Sequence, residues 1–233
     1  MTVVPPCAVS VMQPILFLDL DDVLCLNDPY GGCDALTGEA PDGPWERLFH
    51  APAVKTLLRV LDEHQPLVVL TTSWLRFLDR QGFEELFMKT GLAKVKAALH
   101  SAAWGGPQNR GNSRLKAIEA WMSAHHNGEP FVILDDTLSG TGLARSPFDR
   151  SGAVVLFEVG VGLTEAHLDA VRRALGVGSR ASDPSEQVVP EAQTLSVLDG
   201  PPLALQPARH CGEAMADESV DATLLADKKT FDS

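Results

Sequence analysis

The chain has 233 residues, of which 45% are hydrophobic and 21% charged, enough for one ordinary domain with an appendage. Its 19 Lys and Arg face 31 Asp and Glu, for a formal net charge of -12. This sign argues against general nucleic-acid binding, which depends on cations that neutralise phosphates. The first residues lack the basic start of a signal peptide, and no apolar run is long enough to span a membrane. These features predict a cytoplasmic protein without membrane partners.

Short apolar runs alternate with helical patterns along the first part of the chain. Residues 15–19 form an apolar run that ends in an acid, which is typical of a strand buried on both faces. Residues 27–44 are dense in Gly, Pro, Asn and Asp and predict a loop. Pro52 begins a helical pattern that closes near His64, and residues 66–70 predict the second buried strand.

The same alternation continues to residue 177. The further predicted elements are a helix over 75–89 with a break at Gly82, a strand within 95–102, a helix capped by Ser113, strands at 131–136 and 153–159, and a helix from Thr164 to about Gly176.

This alternation indicates an α/β fold, a three-layer Rossmann-like parallel sheet with helices on both faces. In such sheets, ligands bind beyond the carboxyl ends of the strands. Residues 14–177 are predicted to form this domain, after an N-terminal extension at 1–13. Residues 178–233 are rich in Pro, Ser, Ala and acids, and they predict a disordered acidic tail.

Two acids at the end of the first strand lie two residues apart. On an extended chain Asp19 and Asp21 point the same way, about 6.5 Å apart, and their carboxylates repel each other unless a cation lies between them. Hard carboxylate oxygens favour Mg²⁺. One carboxylate can then attack a phosphorus atom while the other moves a proton. The alternative interpretation is a pair of solvated turn acids.

Polar residues also end two other predicted strands. One or both of Asp135 and Asp136 would complete a metal site with Asp19, unless they only cap a following helix. Residues 71–73 are Thr, Thr and Ser, whose hydroxyls and backbone N–H groups suit phosphoryl oxygens but are also common at turns.

The helix after Ser113 begins with cations. Arg114 and Lys116 stand at the positive end of the helix dipole, which costs roughly a few tenths of a kcal/mol each. A bound anion such as phosphate would relieve this conflict. Otherwise the two residues are tolerated surface cations.

The order of these features resembles the haloacid dehalogenase (HAD) superfamily of Mg²⁺-dependent phosphohydrolases. The closer likeness is to the HAD domains of Swiss-army-knife RNA repair proteins, in the segments "FLDLDDVL", "VVLTTSW", "RLKAIEAW", "VILDD" and "GLTEAHL". The resemblance covers about residues 14–177. No large insertion separates the motifs, so we expect no full cap domain, only a flap around 25–45. Such an open site suits large substrates.

The resemblance implies a Mg²⁺-dependent phosphatase of phosphomonoesters. Asp19 would be the nucleophile that forms an aspartyl-phosphate, and Asp21 the general acid and then the general base. Mg²⁺ would be bound by Asp19, the backbone carbonyl of Asp21, and Asp135 or Asp136. The family usually has Gly where this chain has Asp22, and no chemical role is assigned to that acid.

Two further roles implied by the resemblance stay open between neighbouring residues. Either Thr71 or Thr72 would hold the phosphoryl oxygens. Either Arg114 or Lys116 would neutralise charge on the nucleophile and the phosphoryl group.

The substrate class stays open among small phosphates, phosphoproteins and nucleic-acid ends. The resemblance to repair-associated domains favours nucleic-acid ends, whereas the net charge opposes them. An alternative function is a phosphoacceptor or binding module of the same fold that turns over poorly. A third is a scaffold whose tail binds partners.

Overall fold

A computed structural model describes residues 12–40, 44–107 and 113–176. Of the predicted N-terminal extension at 1–13 only the last two residues are described, and the predicted tail at 178–233 lies outside the described residues. In the described ranges, no helix has both the length and the apolar character needed to cross a bilayer.

The centre of the domain is a parallel sheet with the strand order β2-β1-β3-β4. Its strands are β1 (Ile15–Leu18), β2 (Leu67–Leu70), β3 (Phe131–Asp136) and β4 (Val154–Phe157). The register pairs Leu18 with Leu70 on one side and with Leu134 on the other. The residues that follow these three leucines therefore lie side by side at the carboxyl edge of the sheet, about one strand spacing apart.

Helices connect the strands. They are α1 (Gly32–Thr37), α2 (Pro44–Arg47), α3 (Ala51–His64), α4 (Arg80–Lys89), α5 (Ala93–Ala98), α6 (Arg114–His125), α7 (Pro147–Arg150) and α8 (Leu168–Ala174), with short 3₁₀ helices at Ser73–Arg76 and Glu165–His167.

Both faces of the sheet are covered. Leu16 and Leu18 of β1 belong to a core that includes buried residues of α3, α4, α5 and α8. Ile15 and Phe17 point to the opposite core, where the Trp121 ring of α6 meets the Phe17 ring edge-on at 5.1 Å between centroids. Alternate side chains of one strand thus enter two separate cores. The predicted three-layer α/β fold is confirmed.

The prediction of a loop throughout 27–44 is wrong for its central part, which forms α1. The side chain of Asp34 reaches back to the start of this helix, where its Oδ2 accepts a hydrogen bond from the Gly31 N–H at 2.7 Å. This bond satisfies a donor at the helix start, and it offsets a composition that otherwise disfavours a helix.

Two predictions between β2 and α6 are also wrong. The helical pattern is interrupted before Asp79, not at Gly82, because the Asp79 carboxylate accepts the Gly82 N–H and caps α4. The first half of the strand predicted within 95–102 belongs to α5, and Leu99 makes only an isolated parallel bridge with Val68 of β2.

Candidate active site

Asp19 follows β1 and lies at the centre of the candidate site. Its backbone N–H donates to the Leu134 carbonyl at 3.0 Å, and its side chain is 1% exposed. Its Oδ2 accepts a hydrogen bond from the Ser139 hydroxyl at 2.9 Å and lies 3.3 Å from the Arg114 guanidinium. Its Oδ1 is buried and accepts no hydrogen bond from any residue that the structure describes. That oxygen is therefore free to act on a ligand.

Three buried carboxylates meet at this point. One oxygen each from Asp19, Asp135 and Asp136 lies within 4.8 Å of the other two. The Ser139 hydroxyl lies among them, 3.0 Å from Asp135 Oδ1 and in short contact with Asp136 Oδ2. A hydroxyl carries one proton and can donate to one acceptor at a time. Ser139 therefore leaves most of this negative charge uncompensated.

The cluster fits a hard divalent cation. Burial raises the pKa of the Asp135 carboxyl well above its usual range, and the nearby Asp19 carboxylate raises it further. Grouped carboxylates resist ionisation together unless a cation compensates them, and an all-oxygen set is the kind that Mg²⁺ and similar ions bind. Asp19 has two carboxylate oxygens, so it can give one to such an ion and keep the other for a ligand.

The structure brings Arg114, and not Lys116, to these acids. The Arg114 side chain is 9% exposed, and its Nε lies 2.7 Å from Asp135 Oδ2 in a buried ion pair. Burial alone would lower the pKa of the Arg114 guanidinium, but Asp19 and Asp135 outweigh it and raise this pKa. Lys116 is exposed. A single cation from α6 thus serves two carboxylates of the cluster.

The start of α6 differs from the anion site suggested by its cations. Its first N–H groups already have protein acceptors: Thr141 Oγ1 for Arg114 (3.1 Å), the Thr141 carbonyl for Leu115 (3.2 Å) and Ser113 Oγ for Lys116 (3.3 Å). The unfavourable charge at the helix start is offset instead by the carboxylates that Arg114 meets.

The two threonines after β2 have different partners. The Thr71 N–H donates to the Leu18 carbonyl at 2.9 Å, which fixes Thr71 beside Asp19. The Thr71 hydroxyl is buried and has no hydrogen-bond partner among the described residues. The Thr72 hydroxyl accepts the Trp74 N–H at 3.4 Å and caps the 3₁₀ helix. Thr71 therefore has the hydroxyl that is available to a ligand.

Asp21 lies apart from the acidic cluster and is held by donors from the neighbouring loop. Its Oδ2 accepts hydrogen bonds from the Trp74 indole N–H (2.9 Å) and from the Ser73 hydroxyl (3.1 Å). Burial and, second to it, the Asp19 charge raise the pKa of the Asp21 carboxyl from 3.8 to about 7, although the two hydrogen bonds lower it. A carboxyl with a pKa near neutrality can both give and accept a proton.

Asp22 connects two loops at the rim of the site. Its backbone is left-handed, with a φ of 52°, a conformation that Gly adopts without strain and that Asp tolerates better than most residues. Its Oδ1 accepts the Gly160 N–H at 2.8 Å and so ties the turn after β1 to the loop after β4. Burial raises the pKa of the Asp22 carboxyl.

The sequence prediction missed two of these partners. Ser139 was not singled out, although a Ser three residues after Asp136 is in reach of that strand end once the chain turns. The turn forms because Asp136 Oδ1 accepts the N–H groups of Leu138 and Ser139. Nothing in the sequence pattern distinguishes Trp74 from a packing residue, yet a buried indole N–H usually finds an acceptor.

The comparisons with known proteins agree with this geometry. The family model described as "HAD domain in Swiss Army Knife RNA repair proteins" matches residues 15–168, more than half of the chain. No curated protein and no solved structure matches the chain significantly. The resemblance noted in the sequence is confirmed, and the chain belongs to the family of HAD domains found in Swiss Army Knife RNA repair proteins.

Proposed function

We propose that this protein is a Mg²⁺-dependent phosphatase that hydrolyses phosphomonoesters through an aspartyl-phosphate on Asp19. Membership of the phosphohydrolase superfamily supports the reaction class. One observation supports the nucleophile. Asp19 Oδ2 is held by Ser139 and Arg114, whereas Oδ1 is buried without a partner among the described residues.

In the first half of the proposed reaction, Asp19 Oδ1 attacks the phosphorus atom and the ester O–P bond breaks. The departing oxygen takes a proton from the Asp21 carboxyl. Arg114 offsets the negative charge on the nucleophile and the phosphoryl group, and the Thr71 hydroxyl donates to a phosphoryl oxygen. Arg114 and Thr71 are proposed in place of their alternatives Lys116 and Thr72.

In the second half, a water oxygen bonds to the phosphorus atom and the bond between phosphorus and Asp19 Oδ1 breaks. The Asp21 carboxylate takes a proton from this water, which attacks the aspartyl-phosphate and releases inorganic phosphate. Asp19 and Asp21 return to their starting states, so the cycle consumes one water and one ester.

Mg²⁺ would be held by Asp19, by Asp135 or Asp136, and by the backbone carbonyl of Asp21. When bound, the ion supplies positive charge that neutralises the phosphoryl oxygens. Ser139 and Arg114 keep the carboxylates oriented towards one another.

We propose the phosphorylated end of a nucleic acid as the substrate class, in a cytoplasmic setting. The family description, which names RNA repair proteins, supports this choice. The described chain between β1 and α3 contains only the short helices α1 and α2, in keeping with an open site without a full cap domain. The net charge of -12 argues against broad affinity for polynucleotides but not against binding of one terminal phosphate.

The full-length chain should hydrolyse 4-nitrophenyl phosphate when Mg²⁺ is present and should stop when a chelator removes the ion. Asp19→Asn should abolish turnover, while the exposed control Asp62→Asn should retain it. Full Mg²⁺-dependent turnover by Asp19→Asn would exclude the proposed mechanism.

A panel of 3′- and 5′-phosphorylated oligonucleotides, phosphopeptides and small phosphates then tests the substrate class, and faster turnover of a peptide or a metabolite would overturn the proposed one. An acyl phosphate that forms on Asp19 but does not decay would point to the alternative, a phosphoacceptor module of low turnover.

A further inference from the structure

Two hydrogen-bond donors converge on a single oxygen of Asp21. The Trp74 indole N–H and the Ser73 hydroxyl both point to Oδ2, at 2.9 and 3.1 Å. Neither bond is given to Oδ1. The two oxygens of this carboxyl are therefore in different surroundings, and the rotation of the group is fixed.

The indole that makes one of these bonds cannot turn away. Trp74 is 2% exposed and stacks on Phe49, with ring centroids 6.1 Å apart and planes at 15°. On another side, Gly32 of α1 lies so close that a Cβ added there would overlap the Trp74 ring. The position of the donor is thus determined by packing and not by the hydrogen bond alone.

We propose that Ser73 and Trp74 are positioning residues that direct proton transfer through Oδ1 of Asp21. This inference rests on the proposed function. A proton on Oδ2 would compete with the Trp74 N–H, which can only donate, and would force the Ser73 hydroxyl to turn from donor to acceptor. The acid form therefore carries its proton on Oδ1. In the first half-reaction, this proton moves from Oδ1 to the departing ester oxygen, and the Oδ1–H bond breaks as the new O–H bond forms.

The carboxylate that remains after this transfer keeps both donors on Oδ2, which compensate part of the charge it has gained. In the second half-reaction, Oδ1 takes the proton back from the attacking water. Ser73 and Trp74 do not touch the substrate in this scheme. They determine which oxygen of Asp21 faces it.

This role predicts a dependence on the leaving group. An aryl phosphate with an acidic phenol leaves as a stable anion and needs little proton transfer, whereas an alkyl phosphate needs a proton as its O–P bond breaks. Loss of the positioning donors should therefore slow the hydrolysis of alkyl phosphates selectively.

The experiment compares kcat for 4-nitrophenyl phosphate and for glycerol phosphate. Trp74→Phe removes the N–H and retains an aromatic ring, and Ser73→Ala removes the second donor. In each variant we expect the alkyl rate to fall about tenfold or more and the aryl rate to fall less than about threefold. Gly32→Ala keeps the tryptophan itself but pushes its ring away from Asp21, because the added Cβ overlaps the ring. It should give the same selective loss.

Trp121→Phe is the matched control. Trp121 is also 2% exposed, and its indole N–H donates to the Ala103 carbonyl at 2.8 Å, in the other core. This variant should leave the ratio of alkyl to aryl rates unchanged.

Equal loss for both substrates in Trp74→Phe and Ser73→Ala would overturn the inference, because it would mean a general structural effect. If Trp74→Phe does not fold, Ser73→Ala alone decides. If the wild-type protein hydrolyses neither substrate, the proposed function fails instead.

Discussion

Arg114 at the start of α6 and Asp19 at the end of β1 form an ion pair of 3.3 Å in which both side chains are almost fully buried. The same guanidinium reaches Asp135 of the adjacent strand at 2.7 Å. A buried cation shared by two carboxylates is costly to remove, since the acids are then left uncompensated.

Substitution at Arg114 should therefore affect activity much more than substitution at Lys116. Arg114→Lys keeps the charge but loses the planar group that spans Asp19 and Asp135, and we expect kcat/KM for an aryl phosphate to fall about 100-fold. Lys116→Ala removes an exposed cation and should change kcat/KM less than about twofold. A larger effect at Lys116 than at Arg114 would reverse the assignment.

Substitution of Thr71 should lower activity without loss of stability, whereas substitution of Thr72 should lower stability. Thr71→Val removes a buried hydroxyl that has no partner among the described residues, so we expect the free energy of unfolding to stay the same or rise. The same change should lower kcat about tenfold or more, because the proposed donor to the phosphoryl group is lost. Thr72→Val removes the cap of the 3₁₀ helix and should destabilise the fold by about 1 kcal/mol.

Urea denaturation and steady-state kinetics measure the two effects. If the loss of activity follows Thr72→Val and not Thr71→Val, the proposed roles of these residues are exchanged.

Asp22 should contribute to stability through its carboxylate and through its backbone. Asp22→Asn keeps a side-chain oxygen for the Gly160 N–H and also tolerates the left-handed backbone, so we expect a change below about 0.5 kcal/mol. Asp22→Ala loses the acceptor and strains the backbone, and it should cost about 1–3 kcal/mol. Equal unfolding free energies for the two variants would show that the contact with Gly160 is not stabilising.

Glu63 should make stability depend on pH in the acid range. Hydrogen bonds from Arg172 and Arg59 lower the pKa of the Glu63 carboxyl from 4.5 to about 2. Because the pKa is lower in the folded state, the stabilisation is complete above pH 4.5 and is lost as the pH falls towards 2. Glu63→Gln should therefore lower the Tm at pH 7, and its difference from the wild type should shrink between pH 4.5 and 2.

The exposed pair of Asp62 with Lys94 is the control for this titration. Asp62→Asn should change the Tm little, both at pH 7 and in the acid range, since exposed ion pairs contribute little to stability. A difference between Glu63→Gln and the wild type that is independent of pH would contradict the linkage.

The sequence predicts the sheet well because its strands are continuous apolar runs, and β3 has the predicted bounds of residues 131–136. The carboxyl ends of these runs also predict that Asp19 and Asp135 lie close together, as they do in the structure. Parallel strands bring such ends together whatever the details of the loops. These inferences need only the hydrophobic pattern of the sequence and the order of the predicted elements along the chain.

The choice between neighbouring residues could not be made from sequence. Arg114 and Lys116 lie two positions apart on a helix, which turns them about 200° from each other. Only one can face the sheet edge, and the packing of α6 decides which. Thr71 and Thr72 likewise point to opposite sides of an extended chain. The partners Ser139 and Trp74 come from loops whose paths depend on tertiary contacts.

Asp19 and Thr71 are also members of the backbone ladder, through hydrogen bonds from their N–H groups to the Leu134 and Leu18 carbonyls. The distance between the two residues is therefore fixed by the sheet, and movements of the surrounding loops do not alter it. Breaking either hydrogen bond requires opening the centre of the sheet, where amide hydrogens exchange with solvent most slowly. The backbone positions of the proposed nucleophile and of the proposed phosphate-binding hydroxyl are thus as rigid as the core, and a substrate must adapt its approach to them.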